Sequence, residues 1–214
     1  MGYQPPWVDR YGGSAVATRW SHEVLEVLDL RLTDALDVPW ATMAVKVPIP
    51  QFGGLLFIGC TTSWRLDAEA ARERQVVAPA DLDARHRVAA PTIIAGDFNA
   101  TPDAASIRFL TGRQALQGRN VHYDDVWEVA ADGPGYTWTS TNPAARAEID
   151  QIVGQPDHHR RLDHSFIWSW HAHPDVRCRI DEVALVFNAP VDGLWPSDHF
   201  GVLARLDVEN LKRG

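Results

Sequence analysis

The sequence predicts an α/β fold: a two-sheet mixed β-sandwich flanked by helices. Three observations carry this expectation. Short runs rich in Val, Ile, Leu and Phe alternate with an Ala-, Glu- and Arg-rich stretch of helical period. Two of the apolar runs flank a segment bounded by Pro and Gly, as the arms of a hairpin do. No repeat, low-complexity tract or linker divides the 214 residues, so a single domain over 1–214 is expected.

Taken in order, residues 14–18 and 23–32 read as short strands. Thr42-Met43-Ala44-Val45-Lys46-Val47 and Leu55-Leu56-Phe57-Ile58-Gly59-Cys60 read as a hairpin across 48–54. Residues 66–88, with spaced Leu and Val among Ala, Glu and Arg, read as helix. Residues 92–98 read as a strand. Thr101-Pro102-Asp103 then has the order of a helix start, with Thr as cap, Pro at the first position and an acid in the first turn. Residues 124–131 suit one or two helical turns. Residues 162–170, 179–187 and 201–208 read as strands.

Composition narrows the function. Hydrophobic residues make up 45% and charged residues 22%, as in ordinary globular proteins. No apolar run reaches the roughly 18 residues of a membrane-spanning helix. The start, Met1-Gly2-Tyr3-Gln4-Pro5-Pro6-Trp7, has neither the basic nor the apolar region of a signal peptide. Gly2 is not followed by Ser or Thr at position 6, which excludes a myristoylation site. A cytoplasmic monomer is expected, with Cys60 a buried free thiol in an apolar run. The net charge of −8 disfavours bulk nucleic acid, whose binding rests on neutralising phosphates with Lys and Arg.

The chemistry-bearing residues lie at strand ends. Gly96-Asp97-Phe98-Asn99 closes the run Pro91-Thr92-Ile93-Ile94-Ala95. A side-chain period of two puts Asp97 and Asn99 on one face and Phe98 in the core. A carboxylate and an amide so placed suit a hard cation and a phosphate oxygen. Gly, Asp and Asn are also common in strand-to-helix turns, so this motif alone leaves turn and site evenly matched. Ser197-Asp198-His199, just before the strand at 201–208, adds a carboxylate beside a His, a typical acid/base pairing.

Together, in this order, these two motifs resemble the endonuclease/exonuclease/phosphatase superfamily, the metal-dependent phosphoesterases related to DNase I. The resemblance runs from about residue 11 to the C-terminus. It implies a DNase I-like four-layer sandwich, a Mg²⁺ or Mn²⁺ cofactor, and hydrolysis of a phosphodiester or phosphomonoester. Asp97, Asn99 and Asp198 are the implied metal ligands, and Asp97, Asn99, Asp163 and His199 the implied catalytic residues. Two segments offer the carboxylate that orients His199. Arg161-Leu162-Asp163-His164-Ser165-Phe166-Ile167 resembles the family's Arg-Ile-Asp-Tyr-Ile-Phe strand, and Glu148-Ile149-Asp150-Gln151-Ile152 is a weaker match. Asp163 is preferred over Asp150. Gly135-Tyr136-Thr137-Trp138 and Asn142-Pro143 resemble the sphingomyelinase-like branch, as do Arg72 to Gln75 and Ile107 to Gly112. This implies substrate contacts at Thr137 and Asn142. With the acidic charge, a small molecule or lipid headgroup is the expected substrate.

Two departures from the family pattern stand out. Family members open with a strand carrying an Asn and a second ending in Gln-Glu, whose Glu binds metal. Here Tyr11 to Arg19 resembles the stretch that follows them, so an N-terminal truncation is expected. Where the family has Thr-His-Leu, this chain has Cys60-Thr61-Thr62-Ser63-Trp64, and a hydroxyl lacks the charge of a protonated His. These departures support a rival expectation, a non-catalytic remnant that acts as a binding domain. Five of the nine His fall within 158–173, and His171 with His173 offers a weaker zinc pair. Of the nine Trp, Trp64, Trp138 and Trp195 lie near the motifs, where they could line a pocket or simply pack.

Overall fold

Strands outweigh helices in the regular structure of this chain, and the helices fill crossings between strands. The computed structural model describes residues 15–32, 41–49, 52–168 and 175–211. In order come β1 (Glu23–Asp29), β2 (Ala41–Val47), β3 (Leu55–Gly59), α1 (Glu69–Gln75), α2 (Val77–His86), β4 (Ile93–Asp97) and α3 (Ala105–Leu110). Then follow β5 (Tyr123–Asp125), α4 (Val126–Ala130), β6 (Trp138–Thr139), α5 (Pro143–Val153), β7 (His159–Arg160), β8 (Asp163–Trp168), β9 (Val176–Val186) and β10 (Gly201–Asn210).

Six strands form one sheet in the order β1-β2-β3-β4-β8-β5. β3 and β4 are parallel, joined through α1 and α2, and the other pairings are antiparallel. β9 and β10 form a separate antiparallel ribbon, and β6 pairs with β7. This is the mixed α/β architecture the sequence predicts. One face of the large sheet carries Leu56, Ile58, Ile94 and Phe166, packed against Val76, Leu82, Ile107 and Phe109 of the helical layer. Phe98 meets Phe166 edge-to-face at 5.3 Å, which seats the end of β4 in this core.

Several expectations shift. Residues 15–18 form no strand, and residue 14 lies outside the described residues, as do His171, His173 and Tyr11 to Gly13. The helix expected at 66–88 is two helices that meet at Val76, with Pro79 in the first turn of α2, where its missing N–H would be unpaired anyway. Thr101 does not cap a helix. Its hydroxyl turns to Asp103, and α3 begins only at Ala105. Residues 124–131 divide between β5 and α4, with Asp125 as the cap that accepts from the Trp127 N–H. No described helix is long and apolar enough to cross a membrane. Cys60 is buried and unbridged, and burial pushes its thiol up to about 12.

Candidate active site

Register in the sheet creates the site. Asp97, the last residue of β4, lies directly opposite Asp163, the first of β8. Two carboxylates are thereby held side by side at one end of the sheet. Gly96 permits this. Its φ is +152°, and a Cβ there would stand 1.9 Å from the Cys60 carbonyl oxygen. After it, Phe98 enters the core and Asn99 turns back at φ +49°. The Asn99 N–H donates to Asp97 Oδ1 at 2.9 Å, and its Nδ2 donates to the Thr62 carbonyl at 3.0 Å. Asn99 itself lines the cavity wall, and its Oδ1 accepts no hydrogen bond among the described residues.

His199 comes from the loop before β10, and three contacts fix that loop. Asn142 Nδ2 donates to the Ser197 and Asp198 carbonyls at 3.0 and 2.9 Å. The Phe200 N–H donates to the Thr137 carbonyl at 2.8 Å. Trp138 bridges to His199 in strand fashion. Thr137 and Asn142, the expected substrate contacts, lie behind the cavity wall rather than on it. Both are fully buried; the Thr137 hydroxyl accepts from the Leu162 and Asp163 N–H groups, and Asn142 also caps α5. They position the residues that face the cavity.

His199 Nδ1 donates to Asp163 Oδ2 at 2.7 Å, leaving Nε2 at the cavity. Burial alone would push this imidazole down. The Asp163 hydrogen bond and the charges of Asp163, Asp97 and Asp198 outweigh it and lift the pKa to about 9. Asp97 rises to about 7, first from desolvation and then from Asp163, while His199 and the Asn99 N–H pull it back. Asp150, the weaker candidate, is ruled out as the orienting group because it sits exposed on α5.

The cavity has a volume of about 580 Å³. Trp64, Leu66, Trp138, Ile152 and Leu162 form its apolar walls around Asp97, Asn99, Asp163, Asp198 and His199. Trp195 stacks on Phe200 instead. Thr62 and Ser63, at the departure from Thr-His-Leu, are fully buried; the Thr62 hydroxyl donates to the Phe98 carbonyl. The Ser63 N–H donates to Gln75, and Arg72 donates to the Ser63 and Arg65 carbonyls, so α1 holds the loop that presents Trp64.

Among the described residues, the donor atoms that converge within 4.8 Å are those of Asp97, Asp163 and His199. The expected set of Asp97, Asn99 and Asp198 shares Asp97 with this group, and all three line the same cavity. Asp198 stands beside Glu148 of α5, whose carboxyl is pushed up by desolvation and by Asp198. These oxygen donors suit a hard divalent cation. Glu148 and Ile152 line the cavity one helical turn apart, a spacing visible only once α5 is recognised.

The family model described as "Endonuclease/Exonuclease/phosphatase family" matches residues 2–199. The chain belongs to this family. Its members are phosphoric ester hydrolases, generally dependent on a divalent metal. A search of curated proteins finds no match. The fold is similar to that of D. rerio TDP2 complexed with single strand DNA product, with TM-score 0.61 and 20% identity over 87% of this chain and 68% of that one. It is also similar to an endonuclease/exonuclease/phosphatase from Bacteroides vulgatus, with TM-score 0.58 and 18% identity over 88% and 67%. The human Nocturnin catalytic domain with bound sulfate gives TM-score 0.54 and 15% identity over 88% and 60%. Among the described residues, the segment after β3 lends this cavity Trp64 and Leu66 and no basic side chain.

Proposed function

We propose that the chain is a Mg²⁺- or Mn²⁺-dependent phosphoesterase acting on a phosphodiester or phosphomonoester. The carrying observation is the 2.7 Å His199–Asp163 pair facing Asp97 across one cavity. Asp97, Asn99 and Asp198 would hold the cation, with waters completing its shell. That cation supplies charge stabilisation for the phosphate oxygens and the leaving oxygen.

The rest of the chemistry belongs to this chain's side chains. With a pKa of about 9, His199 is protonated at neutral pH, so its Nε2–H acts as acid and as donor to the phosphate. Asp163 keeps the ring in that orientation and favours its charge. Asp97 and Asn99 orient the attacking water and the phosphate from one face of the cavity. Trp64, Leu66 and Trp138 keep the reacting groups against apolar walls. The charge of −8 favours a small molecule or lipid headgroup over bulk nucleic acid, although D. rerio TDP2 is solved with a DNA product.

The test is hydrolysis of bis(p-nitrophenyl) phosphate with Mn²⁺ or Mg²⁺. Activity abolished by EDTA, restored by metal and lost in His199→Ala is expected. A folded chain no more active than His199→Ala would overturn the reading in favour of a non-catalytic binding domain of the same fold.

A further inference from the structure

A second cavity, about 510 Å³, adjoins the first, and Arg160 of β7 lines both. Its backbone is pinned, since Arg160 pairs with Trp138 and its carbonyl accepts from the Thr137 N–H. Its guanidinium is half-buried and has no hydrogen-bond or ion-pair partner among the described residues. The two buried arginines differ. Arg72 engages Glu69 and two carbonyls, and Arg161 engages Asp125. Desolvation weakens the charged form of Arg160, and Arg72 adds to this while Asp103 opposes it. A preorganised, partly desolvated guanidinium lacking a counter-ion is a receptor for a phosphate or carboxylate.

The walls of the second cavity indicate what lies beyond that anion. Tyr136 stacks on His159 with ring centroids 5.2 Å apart and planes 24° apart, and Tyr136 is 40% exposed. Gly135, at φ +64°, passes so close to Trp127 that a Cβ would stand 2.3 Å from the indole. Glu128 on the same wall is engaged by Arg113. The result is a flat aromatic shelf beside an unneutralised cation.

We propose that Arg160 binds a second phosphate of the substrate, and that a planar base attached to it lies on the Tyr136–His159 shelf. The substrate class is then a nucleotide carrying a further phosphate beside the scissile one. This rests on the phosphoesterase reading for which phosphate is cut, but not for the binding itself.

The experiment compares pTpT, a thymidine dinucleotide with a 5′-phosphate, with TpT, which lacks it. Affinities are measured by calorimetry in the His199→Ala protein with Mg²⁺, so no turnover is required. Tighter binding of pTpT is expected. Arg160→Ala should weaken pTpT by about ten- to a hundredfold and bring it level with TpT, the loss typical of a hydrogen-bonded charge. Arg160→Lys should restore part of the difference, and Tyr136→Ala should weaken both ligands together. Equal affinities for pTpT and TpT, no binding of either, or a preference that survives Arg160→Ala would each overturn the proposal. Failure of the wild-type chain to hydrolyse any ester would overturn the phosphoesterase reading and leave this result standing.

Discussion

Asp163 Oδ2 accepts a 2.7 Å hydrogen bond from His199 Nδ1, although the two residues lie 36 positions apart and His199 belongs to no strand of the large sheet. Asp163 opens β8 of the large sheet, and His199 precedes the ribbon strand β10. Removing the charge without the shape should expose its role. Asp163→Asn is expected to drop the His199 pKa from about 9 toward the ordinary imidazole range and to lower kcat/KM by about 10²–10⁴-fold. NMR titration of the His199 ring and the alkaline limb of the rate profile check this. An unchanged alkaline limb would sink the assignment of His199 as acid.

The same two shifts set how stability depends on pH in metal-free solution. Asp97 moves from 3.8 to about 7 and His199 from 6.5 to about 9, so both bind their protons more tightly folded than unfolded. The stability that this confers is complete below the unfolded values and lost as pH rises through the folded ones. Between pH 6.5 and 9 the His199 contribution, about 3 kcal/mol, should therefore disappear. Urea midpoints in EDTA should fall across that window, and His199→Ala should flatten the slope.

Metal binding should reverse part of that loss. Mg²⁺ or Mn²⁺ bound only by the folded chain raises the melting temperature in proportion to ln(1 + [metal]/Kd). Asp97→Asn should remove most of the increase, whereas Asp150→Asn, on the exposed face of α5, should leave it intact. Equal responses from both variants would argue against a site at Asp97.

Gly96→Ala should cost about 3 kcal/mol or more, because the new methyl collides with the Cys60 carbonyl across the β3–β4 pairing and the φ of +152° disfavours any side chain. Chemical denaturation measures this directly. A loss under 0.5 kcal/mol, the ordinary range for a surface change, would mean that the strands separate easily here.

A buried ionic cluster supports β8 from behind. Asp125 accepts from Arg161 at 2.8 Å and pairs with His164 at 3.1 Å, and His164 Nε2 donates to the Ala100 carbonyl at 2.9 Å. Asp125→Ala leaves these groups buried without their anion, and a loss of about 3–5 kcal/mol is expected. The measurement is equilibrium unfolding. Full stability with reduced activity would instead assign the cluster to catalysis.

Local pattern made much of this molecule legible before its structure. The β2–β3 hairpin, β4, β8 and β10 follow from apolar runs between turn residues, and the polar ends of β4 and β8 coincide with the site. What escaped was set by competing local chemistry. Asn142-Pro143 resembles a substrate motif, yet Asn as cap, Pro at the first position and Gly154 after the last residue are the signals that begin and end α5. Without that helix, Asp150 stands as a weaker candidate beside Asp163 and nothing places Glu148 at the cavity. Thr101-Pro102-Asp103 failed in the opposite way, because the Thr101 hydroxyl bonds Asp103 and delays α3. Arg160 left no signal, since its importance comes from having no partner, and that depends on which residues the fold brings near.

The β9–β10 ribbon divides the candidate site between bodies of unequal resilience. Gly201 begins β10 two residues after His199, while Asp97 and Asp163 belong to inner strands of the six-stranded sheet. Two strands alone open at far lower free energy than strands in the middle of a sheet. Gentle warming or dilute denaturant should thus draw His199 away from Asp163 while the sheet persists, so activity disappears reversibly before the global transition. Amide hydrogen exchange would record this as early loss of protection along Gly201–Asn210, well ahead of Ile94 and Phe166.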